Sequence, residues 1–198
     1  MLNGETEQKQ SVHFFALMLA LSLCMHTALC IFFYCIGVTI LYVFNIASVA
    51  IYLLLLFLVS RVKHMERWML VPFAEVLVHV LLCNLCLGWG YGFSFFGFMV
   101  ILVFFYIACI HMKSRIGVVT SSVLGIFDLL VIVHSASSAG EINKLPGMSN
   151  HEMLVIFAIN VAICTIFLMA YSAYFVVAIR SATNVLEERN DELDFMVH

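Results

Sequence analysis

The 198 residues are 64% hydrophobic and only 11% charged, whereas a soluble domain carries roughly 45–50% apolar and about 25% charged residues. With a mean hydropathy of +1.10, the chain lacks the polar surface to sit in water, and a soluble globular class is excluded. The net charge of −3 decides little, because in a membrane protein the placement of charges matters more than their sum.

The N-terminal decapeptide MLNGETEQKQ is polar with one lysine. It has neither the basic region nor the small-residue cleavage site of a secretory signal peptide, so the first apolar stretch is expected to stay in the protein. No formal charge falls in residues 10–60. A single span needs about 20 apolar residues, so this run predicts a helical hairpin: residues 12–34, a turn at Cys35 to Gly37, and residues 38–60. The next apolar run holds one acidic residue, Glu75, and divides at GWGYG (residues 88–92). Three glycines there permit a tight turn, and Trp89 and Tyr91 suit a membrane interface. Spans at residues 68–88 and 91–111 follow. A third pair occupies residues 116–135 and 153–179, separated by a polar loop with Gly140 and the turn signal Pro146-Gly147. The expected fold is an all-α membrane protein: a six-transmembrane-helix bundle of three hairpins in one domain, with a C-terminal cytoplasmic stalk helix.

Basic residues orient it. Lys9, Arg61, Lys63, Arg67, Lys113, Arg115, Arg180 and Arg189 fall on one side and only Lys144 on the other. This bias places both termini of a multi-pass chain in the cytoplasm. The outer side then holds two tight turns and residues 136–152, too little for a folded ectodomain. An external stimulus must be small, or be met within the bundle.

All seven cysteines lie in apolar stretches, where the thiol packs as a small hydrophobe. Cys83 and Cys86 form a CxxC without a second pair, a weak metal or redox signal. Cys35, at the outer turn, is the thiol placed to meet an oxidising space.

Ionisable side chains at membrane depth are costly and mark functional sites by default. Glu75 and His79 are four apart, on one face of the third helix; Asp128 lies near the middle of the fifth. His26, Asn45, Asn84, His134 and Asn160, on five helices, are expected to line a polar cavity opening outward. The competing reading of each Asn or His is interhelical hydrogen bonding with no ligand. A divalent metal held by Glu75, His79 and Asp128 is chemically reasonable. Haem would need two histidines on opposite faces of a porphyrin, drawn from His26, His79 and His134. No catalytic residue is assigned.

After Arg180 the composition changes abruptly to SATNVLEERNDELDFMVH. Ala182, Leu186, Leu193 and Met196 take a/d-like positions in register with the last span, so the sixth helix is expected to run on as a coiled-coil stalk over residues 181–198. The stretch LEERNDELDFMVH resembles the connector that enters the catalytic domain of GGDEF-type diguanylate cyclases. The membrane part resembles the six-span anchors of bacterial nucleotide-cyclase signalling proteins, through Asn45-Ile46-Ala47-Ser48, FAEVLVH with Glu75 and His79, GWGYGF, and Asn160. The resemblance implies a homodimeric sensory domain that controls a cytoplasmic cyclase through the stalk, in cyclic-di-GMP signalling. The chain itself holds no GGDEF motif, no Arg-x-x-Asp inhibitory site and no class III cyclase metal aspartates, so no catalytic residue carries over. A passive dimerising anchor and a small ion or solute transporter are the alternatives. The expected partners are the lipid bilayer, a second copy through the last helix, and a small ligand, with no nucleic acid.

Overall fold

The computed structural model describes residues 2–61, 68, 70–110, 115–137 and 148–197. Every regular element among them is helical. They form α1 (Leu2–Cys35), α2 (Thr39–Leu58), α3 (Leu70–Leu87), a 3-10 turn (Trp89–Tyr91), α4 (Ser94–Ile110), α5 (Arg115–Ser137) and α6 (Asn150–Val197). An apolar chain in lipid must satisfy its backbone internally, and helices do so segment by segment. Among the described residues, four stretches are long and apolar enough to cross a bilayer: Val12–Cys35, Thr39–Leu58, Leu70–Leu87 and Asn150–Leu193. Ser94–Phe105 and Ser122–His134 are shorter apolar helices among the described residues. The protein is therefore of the membrane class. The loops carrying Lys63, Arg67, Lys113 and Lys144 lie outside the described residues.

The α1–α2 hairpin closes as its sequence predicts. The Val38 N–H donates to the Phe33 carbonyl at 3.0 Å and the Gly37 N–H to that of Tyr34 at 3.2 Å, the paired bonds of a Schellman end. Gly37 supplies the left-handed residue this requires, with φ 73°. The α3–α4 connection differs from expectation. The fourth helix starts at Ser94, three residues after the predicted 91, because Trp89–Tyr91 tighten into a 3-10 turn that ends on Gly92 at φ 79°. Tyr91, expected at the membrane interface, is fully buried. Gly92 is also a point of close approach: a Cβ there would stand 3.2 Å from the carbonyl oxygen of Phe157 on α6.

α1 packs along α2, α2 against α3, α3 against α4, and α4 against both α5 and α6. At the far end α6 meets α1 through a Phe14–Tyr174 ring stack with centroids 3.6 Å apart. Two apolar clusters form the interior. One gathers Phe33, Leu41, Val80, Cys83, Leu87, Tyr91, Phe93 and Phe104; the other gathers Phe15, Leu19, Tyr52, Leu55, Val59 and Tyr171. Large side chains such as Ile31, Leu54, Leu130, Ile166 and Met169 stay exposed, which suits a surface facing acyl chains. Just past α2, the Arg61 guanidinium lies 3.8 Å from the centroid of the Phe57 ring, a cation–π contact. α6 begins at Asn150 and continues unbroken through Arg180 to Val197.

Candidate functional site

The inward face of α2 reads Leu41, Asn45, Ser48, Tyr52, Leu55. These steps of four and three residues keep one side of a helix turned to its neighbours, and here the middle three carry polar groups. α1 brings His26 to them and α3 brings Glu75 and His79. All six polar side chains are between 0% and 6% exposed.

Glu75 is the hub. Its Oε1 accepts the Ser48 hydroxyl, its Oε2 accepts the Tyr52 hydroxyl at 2.9 Å, and His26 Nε2 stands 3.3 Å from Oε2. Ser48 Oγ also lies 3.1 Å from the Phe44 carbonyl one turn back. Asn45 joins the two histidines: its Oδ1 is 2.9 Å from His26 Nδ1. Its Nδ2 donates to the Leu41 carbonyl at 2.7 Å and lies 3.4 Å from His79 Nε2. The His26 ring stacks on Tyr52, centroids 5.0 Å apart and 21° from parallel, and lies 5.0 Å from the His79 ring. A buried carboxylate without partners would cost several kcal/mol; this one is held by groups from two other helices.

A second, separate polar group sits at the α3–α4 turn. The Ser94 hydroxyl donates to Asn84 Oδ1 at 2.8 Å, and Asn160 Nδ2 donates to the Tyr91 carbonyl at 2.8 Å. Asn84 Nδ2 is buried and meets no acceptor among the described residues. The first bond joins α3 to α4 across the turn, and the second ties the turn to α6.

The sequence-predicted residues thus divide. His26, Asn45, Glu75 and His79 are brought together; Asn84 and Asn160 belong to the turn; His134 is exposed on α5. The side chain of Asp128 lies outside the described residues. The expectation of one outward-opening polar cavity gives way to two packed polar groups. In a low-dielectric interior, polar side chains on adjacent helices are worth more bonded to each other than lining a void. The cavities beside the first group are mostly apolar. One of about 50 Å³ is lined by Met25, His26, His79, Phe93, Met99 and Phe167. Another, of about 80 Å³, lies against Leu19, Tyr52, Pro72 and Phe104. Neither has room for a porphyrin between His26 and His79.

No family model, curated protein or solved structure matches the chain.

Sequence reasoning did not count Ser48 or Tyr52 among the candidates. The available signal was the stepping from Asn45 by three and then four residues, which places both hydroxyls on its face of the helix. For the metal reading, His26 stands where Asp128 was expected as third partner: His26, Glu75 and His79 each offer a ligand atom, and these atoms lie within 4.8 Å of one another.

Proposed function

We propose that this chain is a transmembrane sensory domain that passes a signal through its last helix to a cytoplasmic nucleotide cyclase, of the diguanylate cyclase class its sequence resembles. In this reading the chain forms a bundle of six spans with both ends in the cytoplasm, and residues 181–198 are the stalk. The observation that carries the proposal is the length of α6. Its 48 residues extend about 72 Å at 1.5 Å per residue, more than twice a hydrocarbon core of about 30 Å. A transporter has no need of a charged helix that continues in register from its last span, whereas a domain that hands a signal on does. Within the charged part, Leu186 and Leu193 lie one heptad apart and are 62% and 55% exposed. Aqueous leucines at that spacing fit a seam closed by a second copy. The side chains of Ala182 and Met196, the other expected seam positions, lie outside the described residues.

The buried group around Glu75 is the input in this reading. It links α1, α2 and α3, so a change in its bonding alters how those helices pack. A ligand biases such an equilibrium only through its different affinity for the two states.

The test uses single Leu186→Cys and Leu193→Cys variants in membranes, with the seven native cysteines replaced by serine, and oxidative crosslinking. Both are expected to yield dimer, while Glu188→Cys, on the opposite face, yields little. Equal crosslinking at all three positions, or none, refutes the paired stalk. In a fusion of the chain to a diguanylate cyclase domain, Glu75→Gln should shift output. Unchanged output would reduce the domain to a passive anchor.

A further inference from the structure

We propose that His26, Glu75 and His79 form a binding centre for a divalent first-row transition-metal ion, with open coordination toward the small cavity beside them. Its place as the input for signalling rests on the sensory reading above; the binding itself does not.

The first argument is hydrogen-bond polarity. The Asn45 side-chain oxygen only accepts, so the 2.9 Å contact to His26 Nδ1 puts the ring proton on Nδ1. That leaves the Nε2 lone pair of the neutral ring aimed at Glu75 Oε2, 3.3 Å away. Oε2 is itself an acceptor, already holding the Tyr52 hydroxyl. Two facing acceptors need a cation between them. The choice lies between a proton, carried by the ring or by the carboxyl, and a metal ion.

Geometry and chemistry favour the metal. Ligand atoms bound to a tetrahedral ion at about 2.0–2.1 Å stand about 3.4 Å apart, and the His26–Glu75 separation already matches. The third ligand atom, from His79, lies within 4.8 Å of the other two, so that binding draws the His79 ring inward. A proton would need only one histidine, yet a second imidazole completes the cluster, and two imidazoles with one carboxylate suit zinc or iron(II) rather than the all-oxygen preference of magnesium or calcium. The surroundings are those of an outer ligand shell. Asn45 fixes the His26 tautomer, while Ser48 and Tyr52 orient the carboxylate. Three protein ligands leave positions open. Beside the two imidazoles, the cavity of about 50 Å³, walled by Met25, Phe93, Met99 and Phe167, has room for water or a ligand of two or three atoms.

The experiment is Co²⁺ binding to the full chain, purified in detergent and stripped with chelator, followed by visible absorption and by metal analysis. Wild type is expected to bind one equivalent with the d–d bands of a low-coordinate site. His134→Ala and a Cys83→Ser/Cys86→Ser variant should match it. His26→Ala, Glu75→Gln and His79→Ala should lose stoichiometric binding, and Asn45→Ala should weaken it about 10–100-fold through loss of orientation. His26→Cys, made with the seven native cysteines replaced by serine, supplies a gain of signal that a misfolded variant cannot mimic: a thiolate-to-cobalt charge-transfer band. Failure of the wild type to bind one equivalent, binding that survives His26→Ala, or no new band in His26→Cys overturns the proposal and leaves the proton between His26 and Glu75. Bound metal that leaves the output of a fused cyclase unchanged would refute the sensory role while leaving the centre intact.

Discussion

Removal of one hydroxyl tests whether Glu75 is an anion held by its neighbours. Tyr52→Phe keeps the ring that stacks on His26 and deletes only the donor 2.9 Å from Oε2. A hydrogen bond to a charged group contributes about 1.5–3 kcal/mol in soluble proteins. Between membrane helices, coupling energies average about 0.6 and reach about 1.7 kcal/mol, because the unfolded chain in the membrane finds other partners. A carboxylate in these apolar helices has few such partners, so the upper part of the membrane range applies, about 1–1.7 kcal/mol. The double-mutant cycle of Tyr52→Phe with Glu75→Gln isolates that coupling. The assay is reversible unfolding in mixed micelles, with chelator present to remove any metal contribution. In the Glu75→Gln background, where the acceptor is neutral, the loss on Tyr52→Phe should fall to about 0.5 kcal/mol, the low end for an ordinary bond. Equal losses in the two backgrounds would refute the charge-assisted bond and the description of Glu75 as the hub.

Two further outcomes test the rest of the fold. Gly37 and Gly92 share a positive φ, but a Cβ at Gly37 meets open space whereas at Gly92 it meets the backbone of Phe157. Alanine at Gly37 should cost only the left-handed penalty of about 1–2 kcal/mol, and alanine at Gly92 a further 1–3 kcal/mol or so of overpacking; equal losses in thermal unfolding would refute the close approach. At the start of α6, Glu152 Oε2 accepts from the Ser149 N–H at 2.7 Å and the Ser149 hydroxyl at 2.8 Å, and the Glu152 N–H returns to Ser149 Oγ at 3.2 Å. The Ser149 backbone N–H, then its hydroxyl, holds this exposed carboxyl below its ordinary range. A lowered folded pKa means the cap contributes fully above the unfolded value of about 4.3 and is lost as pH falls through the folded one. The first turn of α6, followed by amide exchange, should loosen only in acid, and Glu152→Gln should remove that dependence.

What could be read from the sequence follows from the physics of each signal. Charge-free apolar runs and glycine-rich turns report the helices directly, because lipid allows little else. Glu75 and His79 were legible as a pair because helical spacing alone puts them on one face. Their partners were not, since the rotation of α1 and α2 is set by packing, and His26 or Tyr52 could equally have faced lipid. The expected start of the last span at residue 153 passed over the capping box in SNHE, a serine three residues before a glutamate, and α6 begins at Asn150. Asn84 and Asn160 looked like cavity residues, but the 3-10 turn frees backbone and hydroxyl groups that claim them. The glycines of GWGYG announced a turn, but neither its 3-10 form nor the burial of Tyr91 within it.

The bond from Asn160 to the Tyr91 carbonyl gives α6 a fulcrum. From Asn160 to Val197 the helix extends about 55 Å at 1.5 Å per residue. A tilt of about 5° at the fulcrum would swing the far end by about 5 Å, close to the pitch of one helical turn. A shift of a few tenths of an ångström where Gly92 meets Phe157 is thus magnified roughly tenfold by the time it reaches Val197.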